Sequence, residues 1–174
     1  LDQAEVIARE TAARSRAGVL APMHFEALRE LGQVAIAHGD YGEAVGLLER
    51  AGALALDAGR DEYAVRCVIQ QADALMYLGR NEEAAAAFAE VRGAFDGTHA
   101  EFLAYEPVLG QANAAVRLGR HAEAACFLDE ARALAQRAHL FGVLAQIANM
   151  RGEVARYQGD LALAESCYEE AASR

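Results

Sequence analysis

The sequence predicts an all-α fold in which antiparallel helix pairs stack one upon the next, and three observations lead to this prediction. The composition favours helices: alanine dominates the apolar residues, proline occurs twice, and tryptophan is absent. The chain repeats itself with a period of forty residues. Within each period, apolar residues recur at steps of three and four, as they do on the buried face of a helix.

The period is set by four glycines that are followed, five residues later, by an alanine. Glycine closes the C-terminus of a helix in the left-handed conformation at the lowest cost, so each glycine predicts a turn between two helices. Asp40 and Glu43 have the spacing of a capping box at the start of the helix that follows the first turn. The glycines and alanines are Gly39, Gly79, Gly119 and Gly159, and Ala44, Ala84, Ala124 and Ala164.

We predict a single array over residues 1–174, in which 2–17 is the second helix of an incomplete repeat. Pro107 falls inside a predicted first helix, which indicates either a kink or a delayed start at Glu106. Residues 96–99, Asp-Gly-Thr-His, are expected to form the loosest connection. The complete helix pairs are predicted over 22–58, 61–95, 101–138 and 141–173.

Two further repeating positions predict how the helices pack. Small residues stand seven before each turn glycine, where two helices can approach closely. A bulky residue stands at one or both of two adjacent positions after the turn, which indicates one packing slot filled in different ways. The small residues are Gly32, Ala72, Ala112 and Gly152, and the paired positions are 47/48, 87/88, 127/128 and 167/168.

The charge balance excludes several classes of partner. Sixteen basic and twenty-six acidic residues leave a formal charge of −10, which repels phosphate backbones and anionic lipid surfaces. We therefore expect neither nucleic acid nor a membrane as a direct partner. No stretch approaches the roughly twenty apolar residues that cross a bilayer, and no signal segment opens the chain, so we expect the cytoplasm. The start at Leu1 rather than Met suggests a trimmed chain or a piece of a longer protein.

The sequence also lacks the motifs of an enzyme or a metal site. It contains neither a GxxxxGK[ST] phosphate loop nor a GxSxG nucleophile motif. The five histidines have no HxxxH or HExxH spacing, and the three cysteines are too widely spaced for a CxxC site. His139 lies near a predicted helix end, where a cation is tolerated. We predict no catalytic residue, no cofactor and no metal.

These residues resemble the tetratricopeptide repeat in a lengthened form of about forty residues, over about four and a half units. The resemblance implies a right-handed superhelix of helical hairpins. Two repeats depart from the family pattern, with Gln71-Ala72 and Gln111-Ala112 in place of Leu-Gly. The matching residues are Leu31-Gly32, Gly39, Ala44, Leu48 and Ala51 in the first complete repeat, and Gly152, Gly159, Ala164, Tyr168 and Ala171 in the last repeat.

In this family the first helix of each hairpin lines a concave groove that holds a partner. Asparagine can bond an extended backbone there, while arginine, tyrosine and methionine can anchor side chains. The resemblance therefore implies a protein or peptide partner. The family's groove positions, projected onto this sequence, are Arg29, Gln33, Ile69, Asp73, Met76, Tyr77, Asn113, Val116, Arg117, Asn149, Glu153, Arg156 and Tyr157.

Some members of the family hold a terminal carboxylate with a clamp of two lysines, two asparagines and one arginine. The corresponding positions do not match that clamp, and the acidic residue at the fourth of them would repel a carboxylate. A receptor for chaperone tails is therefore disfavoured. The five positions read Arg29, Gln33, Gln70, Glu106 and Gly110.

Three functions remain open on the sequence. The first is a protein- or peptide-binding scaffold for regulation or assembly. The second is an effector-sensing domain of a larger bacterial transcriptional regulator or signal-transduction ATPase, because repeats of this length resemble those of LuxR-like regulators and of peptide-sensing receptors. The third is homodimerisation through the C-terminal helix, whose apolar residues we expect to be uncovered: Leu161, Ala164, Cys167, Tyr168 and Ala171.

Overall fold

The computed structural model describes residues 24–95 and 104–173, and within these two ranges the chain has eight helices and no strand. The predicted all-α class is therefore confirmed. The predicted helix over 2–17 and the predicted loose connection over 96–99 lie outside the described residues. The helices are α1 His24–His38, α2 Tyr41–Asp57, α3 Asp61–Tyr77, α4 Asn81–Phe95, α5 Tyr105–Arg117, α6 His121–Arg137, α7 Phe141–Gln158 and α8 Leu161–Ala172.

The chain divides into two compact units, residues 1–87 and 88–174, and the boundary falls inside α4. In the first unit α1 packs against α2, and α2 packs against α3. In the second unit α5 packs against α6, α6 against α7, and α7 against α8. Within each unit, neighbouring helices thus pack in succession, as the repeat predicts.

The turn inside each hairpin has the same hydrogen-bonded form. Gly39, Gly79, Gly119 and Gly159 have φ angles of +86°, +76°, +72° and +83°. At the first turn, Gly39 N–H donates to the Ile36 carbonyl at 3.0 Å, and Asp40 N–H donates to the Ala35 carbonyl at 2.9 Å. This pair of bonds is the Schellman motif, which satisfies carbonyls at the end of a helix, and it recurs at the other three glycines.

The turns between hairpins use the same motif, which was not predicted from the sequence. Gly59 has a φ of +65° and His139, two periods later, has a φ of +55°. His139 N–H donates to the Gln136 carbonyl at 3.2 Å, and Leu140 N–H donates to the Ala135 carbonyl at 3.0 Å. His139 is thus more than a residue near a helix end, because its own backbone adopts the left-handed conformation that closes the helix.

The predicted capping box at α2 does not form on its aspartate side, because the Asp40 side chain makes no capping hydrogen bond. The capping bond occurs at α8, where the Asp160 carboxylate accepts the Leu163 N–H at 3.0 Å. The backbone ψ angle is 56° at Asp40 and 81° at Asp160, so the two caps differ although both residues follow a turn glycine.

Pro107 lies in the first turn of α5, which begins at Tyr105. The first N–H groups of a helix have no acceptor within the helix, so the missing N–H of Pro107 removes no helical hydrogen bond. The delayed start is the correct alternative, one residue before the expected Glu106.

At three of the four turns, the slot residue packs against a glycine of a neighbouring helix. A Cβ on Gly32 would lie 2.7 Å from Leu48 Cγ, and a Cβ on Gly152 would lie 2.6 Å from Tyr168 Cε1. These two glycines therefore permit the predicted close approach within a hairpin. Gly110, which the packing prediction did not include, lies so close to the Phe88 ring that a Cβ would overlap it.

Two ion pairs in the second unit are related by the forty-residue period. Arg92 on α4 pairs with Glu130 on α6 at 2.7 Å, and Arg132 on α6 pairs with Glu170 on α8 at 2.9 Å. Both link one second helix to the next. All four side chains are partly exposed, so each pair contributes little to stability. The corresponding position in the first unit is Gly52, which cannot make such a pair.

Candidate interaction surfaces

The structure removes two residues from the predicted groove. Ile69 and Met76 are only 7% and 4% exposed, and both belong to the core of the first unit. Helix α3 buries residues on more than one side, so a stripe chosen by helical spacing includes covered positions as well as open ones. These two predictions were wrong as surface contacts.

The remaining predicted residues of the first unit are only partly open. Arg29, Gln33 and Asp73 are half-buried, and Tyr77 is exposed. We call these four residues the first-unit face. Arg29 pairs with its neighbour Glu30. Burial raises the pKa of the nearby Cys67 thiol to about 11, an effect that the positive charge of Arg29 partly opposes. Cys67 is therefore a core thiol of low reactivity.

The end of α3 carries an aromatic stack. Tyr77, at the C-terminus of α3, lies parallel to Tyr41, the first residue of α2, with ring centroids 4.7 Å apart and an interplanar angle of 12°. Met76 lies next to the stack in sequence and is buried. We call Tyr41, Met76 and Tyr77 the first-unit corner.

The predicted residues of the second unit are more open. Asn113 and Val116 on α5 are half-buried, whereas the others are exposed. This surface combines two amides, two guanidinium groups, a carboxylate and a phenol on two first helices. We call it the second-unit face, and it consists of Asn113, Val116, Arg117, Asn149, Glu153, Arg156 and Tyr157.

One end of this face holds a second aromatic stack with an added cation. Tyr157 near the end of α7 lies parallel to His121, the first residue of α6, with centroids 5.0 Å apart and an interplanar angle of 6°. Arg156 Cζ lies 4.6 Å from the Tyr157 ring centroid, which is a cation–π contact. Hydrogen bonds to the Tyr168 phenol and then to the Tyr157 phenol raise the pKa of Arg156. We call His121, Arg156, Tyr157 and Tyr168 the second-unit corner.

The two stacks occupy equivalent positions in the repeat. Tyr41 and His121 are eighty residues apart, as are Tyr77 and Tyr157. The shared interval of the two tyrosines was visible in the sequence, but their partners Tyr41 and His121 were not identified. The signal that could have found the partners is the spacing from the first residue of a second helix to the end of the next first helix.

Of the apolar stripe predicted to be uncovered on α8, Leu161 is exposed as predicted, whereas three other members pack inside the hairpin. Ala164 and Cys167 are buried, and the Tyr168 ring lies against Gly152 of α7. The large apolar side chains that α8 does expose are Leu161 and Leu163, at 68% and 42%. The predicted dimerisation stripe is thus corrected to these two leucines.

Two general properties of the described helices bear on function. In residues 24–95 and 104–173, no group of three or more His, Cys, Asp or Glu side chains is placed to hold a metal ion. None of the eight helices is both long enough and apolar enough to span a bilayer.

Similar folds occur in solved structures that share little sequence with this chain. BtubC (BKLC) from P. vanneervenii superposes with a TM-score of 0.85 at 19% identity, over 99% of this chain and 72% of that one. TPR-like repeats of a putative kinesin light chain from Podosopora anserina give 0.71 at 17% identity, over 99% and 93%. PlcR from Bacillus thuringiensis, solved with the peptide PapR7 and DNA, gives 0.77 at 13% identity, over 97% and 64%. At these identities the likeness shows the fold alone.

Sequence comparison places the chain in a family. No curated protein matches the sequence. A sequence model described as tetratricopeptide repeat matches residues 2–61 and 69–139, which is well over half of the chain. The helical hairpins, the left-handed turn glycines and this match agree. The chain therefore belongs to the tetratricopeptide repeat family, a generally non-enzymatic class of protein–protein interaction scaffold.

Proposed function

We propose that this chain is a protein- or peptide-binding scaffold whose partner segment lies along the first helices of the second unit, on the second-unit face. One observation carries the proposal. On α5 and α7, the apolar side chains such as Val108, Leu144 and Ile147 are buried, whereas the polar side chains of the second-unit face are open or half-open. The polar residues of the second-unit face thus remain at the surface once the core has formed.

The chemistry of the face suits an extended peptide. Asn113 and Asn149, one on each first helix, can each donate and accept hydrogen bonds with a peptide backbone. Arg117 and Tyr157 can contact peptide side chains, and both types are common among the residues that dominate binding energy at interfaces. The PlcR structure, which contains the peptide PapR7, supports a peptide partner by analogy of fold.

The first test is selection of ligands from a display library of random dodecapeptides against the full chain. We expect the selected peptides to change the NMR signals of Asn113, Asn149 and Tyr157. Glu49 and Glu90, which are exposed on second helices, should be unaffected. Signal changes confined to the second helices would contradict the proposal, and so would the absence of any retained peptide.

A charge reversal gives an independent check. Changing Arg117 and Arg156 together to glutamate should weaken a selected peptide by at least about tenfold. The matched control reverses Arg50 and Arg137, which are exposed on second helices and change the net charge equally. Equal effects of the two double variants would show a response to total charge and not to the second-unit face.

A second candidate is an effector-sensing domain of a larger bacterial regulator. It is supported by the likeness to PlcR, of which this chain matches 64%, and by the peptide in that structure. A sensor should change conformation when its effector binds, so small-angle X-ray scattering with a selected peptide should show a change in radius of gyration. An unchanged scattering curve at saturation would leave the passive scaffold as the better account. The cytoplasmic location and the bacterial source stay predictions.

A third candidate is homodimerisation, which the exposure of Leu161 and Leu163 on α8 favours. Light scattering should then give twice the monomer mass, and Leu161→Glu should return the monomer. A monomeric starting protein would remove this candidate. Tyr168 is unsuitable for the test because its ring packs inside the hairpin.

A further inference from the structure

Arg156 interrupts an apolar position of the repeat. The equivalent residues in the three preceding hairpins are Ile36, Met76 and Val116. A second position changes in the same hairpin, because Tyr168 stands where the others have Leu48, Phe88 and Leu128. The two departures act on one another, because the Tyr168 phenol raises the pKa of the Arg156 guanidinium. In the last hairpin, an arginine and a tyrosine therefore stand at two positions that are apolar in the other repeats.

The guanidinium is held in place from two helices. On α8, the Tyr168 ring lies against Gly152, where no Cβ blocks it, and its phenol raises the pKa of Arg156. On α7, the Tyr157 ring lies beneath Arg156 Cζ and is itself stacked on His121. A side chain that is already ordered loses less entropy when a ligand binds, and the planar fork of arginine keeps its orientation.

The contacts of Arg156 leave it able to take a stronger acceptor. Across the described parts of the chain its partners are phenols, and no carboxylate lies within ion-pair distance. Of the nearby acidic residues, Glu153 is one turn earlier on α7, and the Asp160 carboxylate accepts the Leu163 N–H. A guanidinium has five N–H donors, and its bond to a carboxylate is stronger than a bond to a neutral oxygen.

We infer that Arg156, presented by Tyr157 and Tyr168, anchors an aspartate or glutamate side chain of the peptide partner. This inference rests on the proposed function, because it assigns one contact on the second-unit face. A single carboxylate responds to the local cation, whereas a long polyanion also meets the chain's net charge of −10. The anchor lies near the C-terminal end of α7 and uses none of the positions of the terminal-carboxylate clamp.

The test repeats the dodecapeptide selection in parallel against the full chain, Arg156→Met and Arg50→Met. Methionine is the residue of the equivalent position 76, and Arg50 is an exposed arginine on α2 that matches the change in charge. We expect the unaltered chain and Arg50→Met to enrich peptides with an acidic residue at one fixed position. Arg156→Met should retain peptides without that enrichment. Circular dichroism checks that all three chains fold.

A synthetic, C-terminally amidated peptide from the selection then isolates the contact. Replacing its acidic residue with the matching amide should weaken binding to the unaltered chain by about tenfold and should leave binding to Arg156→Met unchanged. Tyr168→Phe keeps the ring against Gly152 and removes the phenol oxygen, so it should lose a few-fold of the affinity. Added salt should weaken the acidic peptide more than its amide form.

The outcomes separate the inference from the proposed function. Peptides that bind the second-unit face without an acidic preference, or with a preference that survives Arg156→Met, would overturn the acidic anchor and leave the scaffold function standing. If the chain retained no peptide at all, both would fail. A change in the acidic preference with Arg50→Met equal to that with Arg156→Met would also overturn the anchor, because total charge would then explain the effect.

Discussion

The two corners share a backbone arrangement and differ in chemistry. Each places the ring of a tyrosine at the end of a first helix parallel to a ring at the start of the preceding second helix. In the first-unit corner the residue before that tyrosine is Met76, which is buried, whereas in the second it is the exposed Arg156. The stack is thus a shared packing element. One position beside it can serve either the core or the surface.

A second repeat position also differs between the corners. Two periods before Tyr168 the equivalent residue is Phe88, which is 1% exposed and has no hydrogen-bond acceptor in its side chain. The slot residue in the hairpin of Arg156 is Tyr168, whose half-exposed ring carries a phenol that raises the pKa of the guanidinium. Arg156 is exposed, so its charge stays in water, whereas a cation at the buried position of Met76 would lose its hydration.

Exchanging the two corner residues should have the largest effect. Met76→Arg places a cation in a position that is 4% exposed, so we expect it to lower the free energy of unfolding by about 3 kcal/mol or more. Arg156→Met should leave stability nearly unchanged, because its guanidinium is exposed. Urea unfolding followed by circular dichroism measures both. Equal losses in the two variants would show that the corners are not distinguished by burial.

Adding a methyl group at the two slot glycines should have a smaller and unequal effect. Gly32→Ala presses on Leu48, which is fully buried and cannot move, so we expect a net loss of about 1–2 kcal/mol despite the better helix propensity of alanine. Gly152→Ala presses on the half-exposed Tyr168 ring, which can turn outward, so the loss should be smaller. Thermal unfolding gives the comparison.

Gly93→Ala is the matched control for both variants, because a Cβ there meets nothing within 4 Å. This variant should be neutral or slightly stabilising. A second readout distinguishes the two slots: Gly152→Ala should lose the acidic preference of Arg156, while Gly32→Ala should keep it. A larger stability loss for Gly152→Ala than for Gly32→Ala would contradict this account.

Removing the stacked rings should cost about the same in both units. Tyr77→Ala and Tyr157→Ala each delete one ring of a parallel pair. Because more than half of each tyrosine is exposed, we expect each variant to lower the free energy of unfolding by only about 1 kcal/mol. Tyr→Phe at either position keeps the ring and serves as the control. Differential scanning calorimetry would show the loss. A negligible change would mean that the stacks are incidental contacts.

The smallest expected effect concerns the turns between hairpins. Gly59→Ala adds a Cβ to a residue with φ of +65° and should destabilise by about 1 kcal/mol. His139→Gly relieves the equivalent strain at φ of +55° and should stabilise by a few tenths to about 1 kcal/mol. The two variants should shift the unfolding temperature in opposite directions. Shifts of the same sign would contradict the equivalence of these turns.

Much of the fold could be predicted because its signals are local. The Schellman turns at Gly39 and Gly159 involve bonds across five residues, and helical periodicity acts over a similar distance. The candidate site was harder. Helical spacing correctly groups Asp73, Met76 and Tyr77 near one another, but it does not state that a neighbouring helix covers Met76. The role of Tyr168 was missed for the same reason, since its contacts with Gly152 and Arg156 lie across a hairpin.

The sequence by itself determined the helix-pair architecture, the turn positions and the absence of strands in the described residues. Each follows from preferences that a residue expresses with its near neighbours, repeated every forty positions. Tertiary structure decided which helix faces stay exposed, which aromatic rings stack, and which apolar residues of α8 are buried against α7. Those outcomes depend on contacts between helices, where burial of apolar surface selects one arrangement from several that the same helical pattern allows.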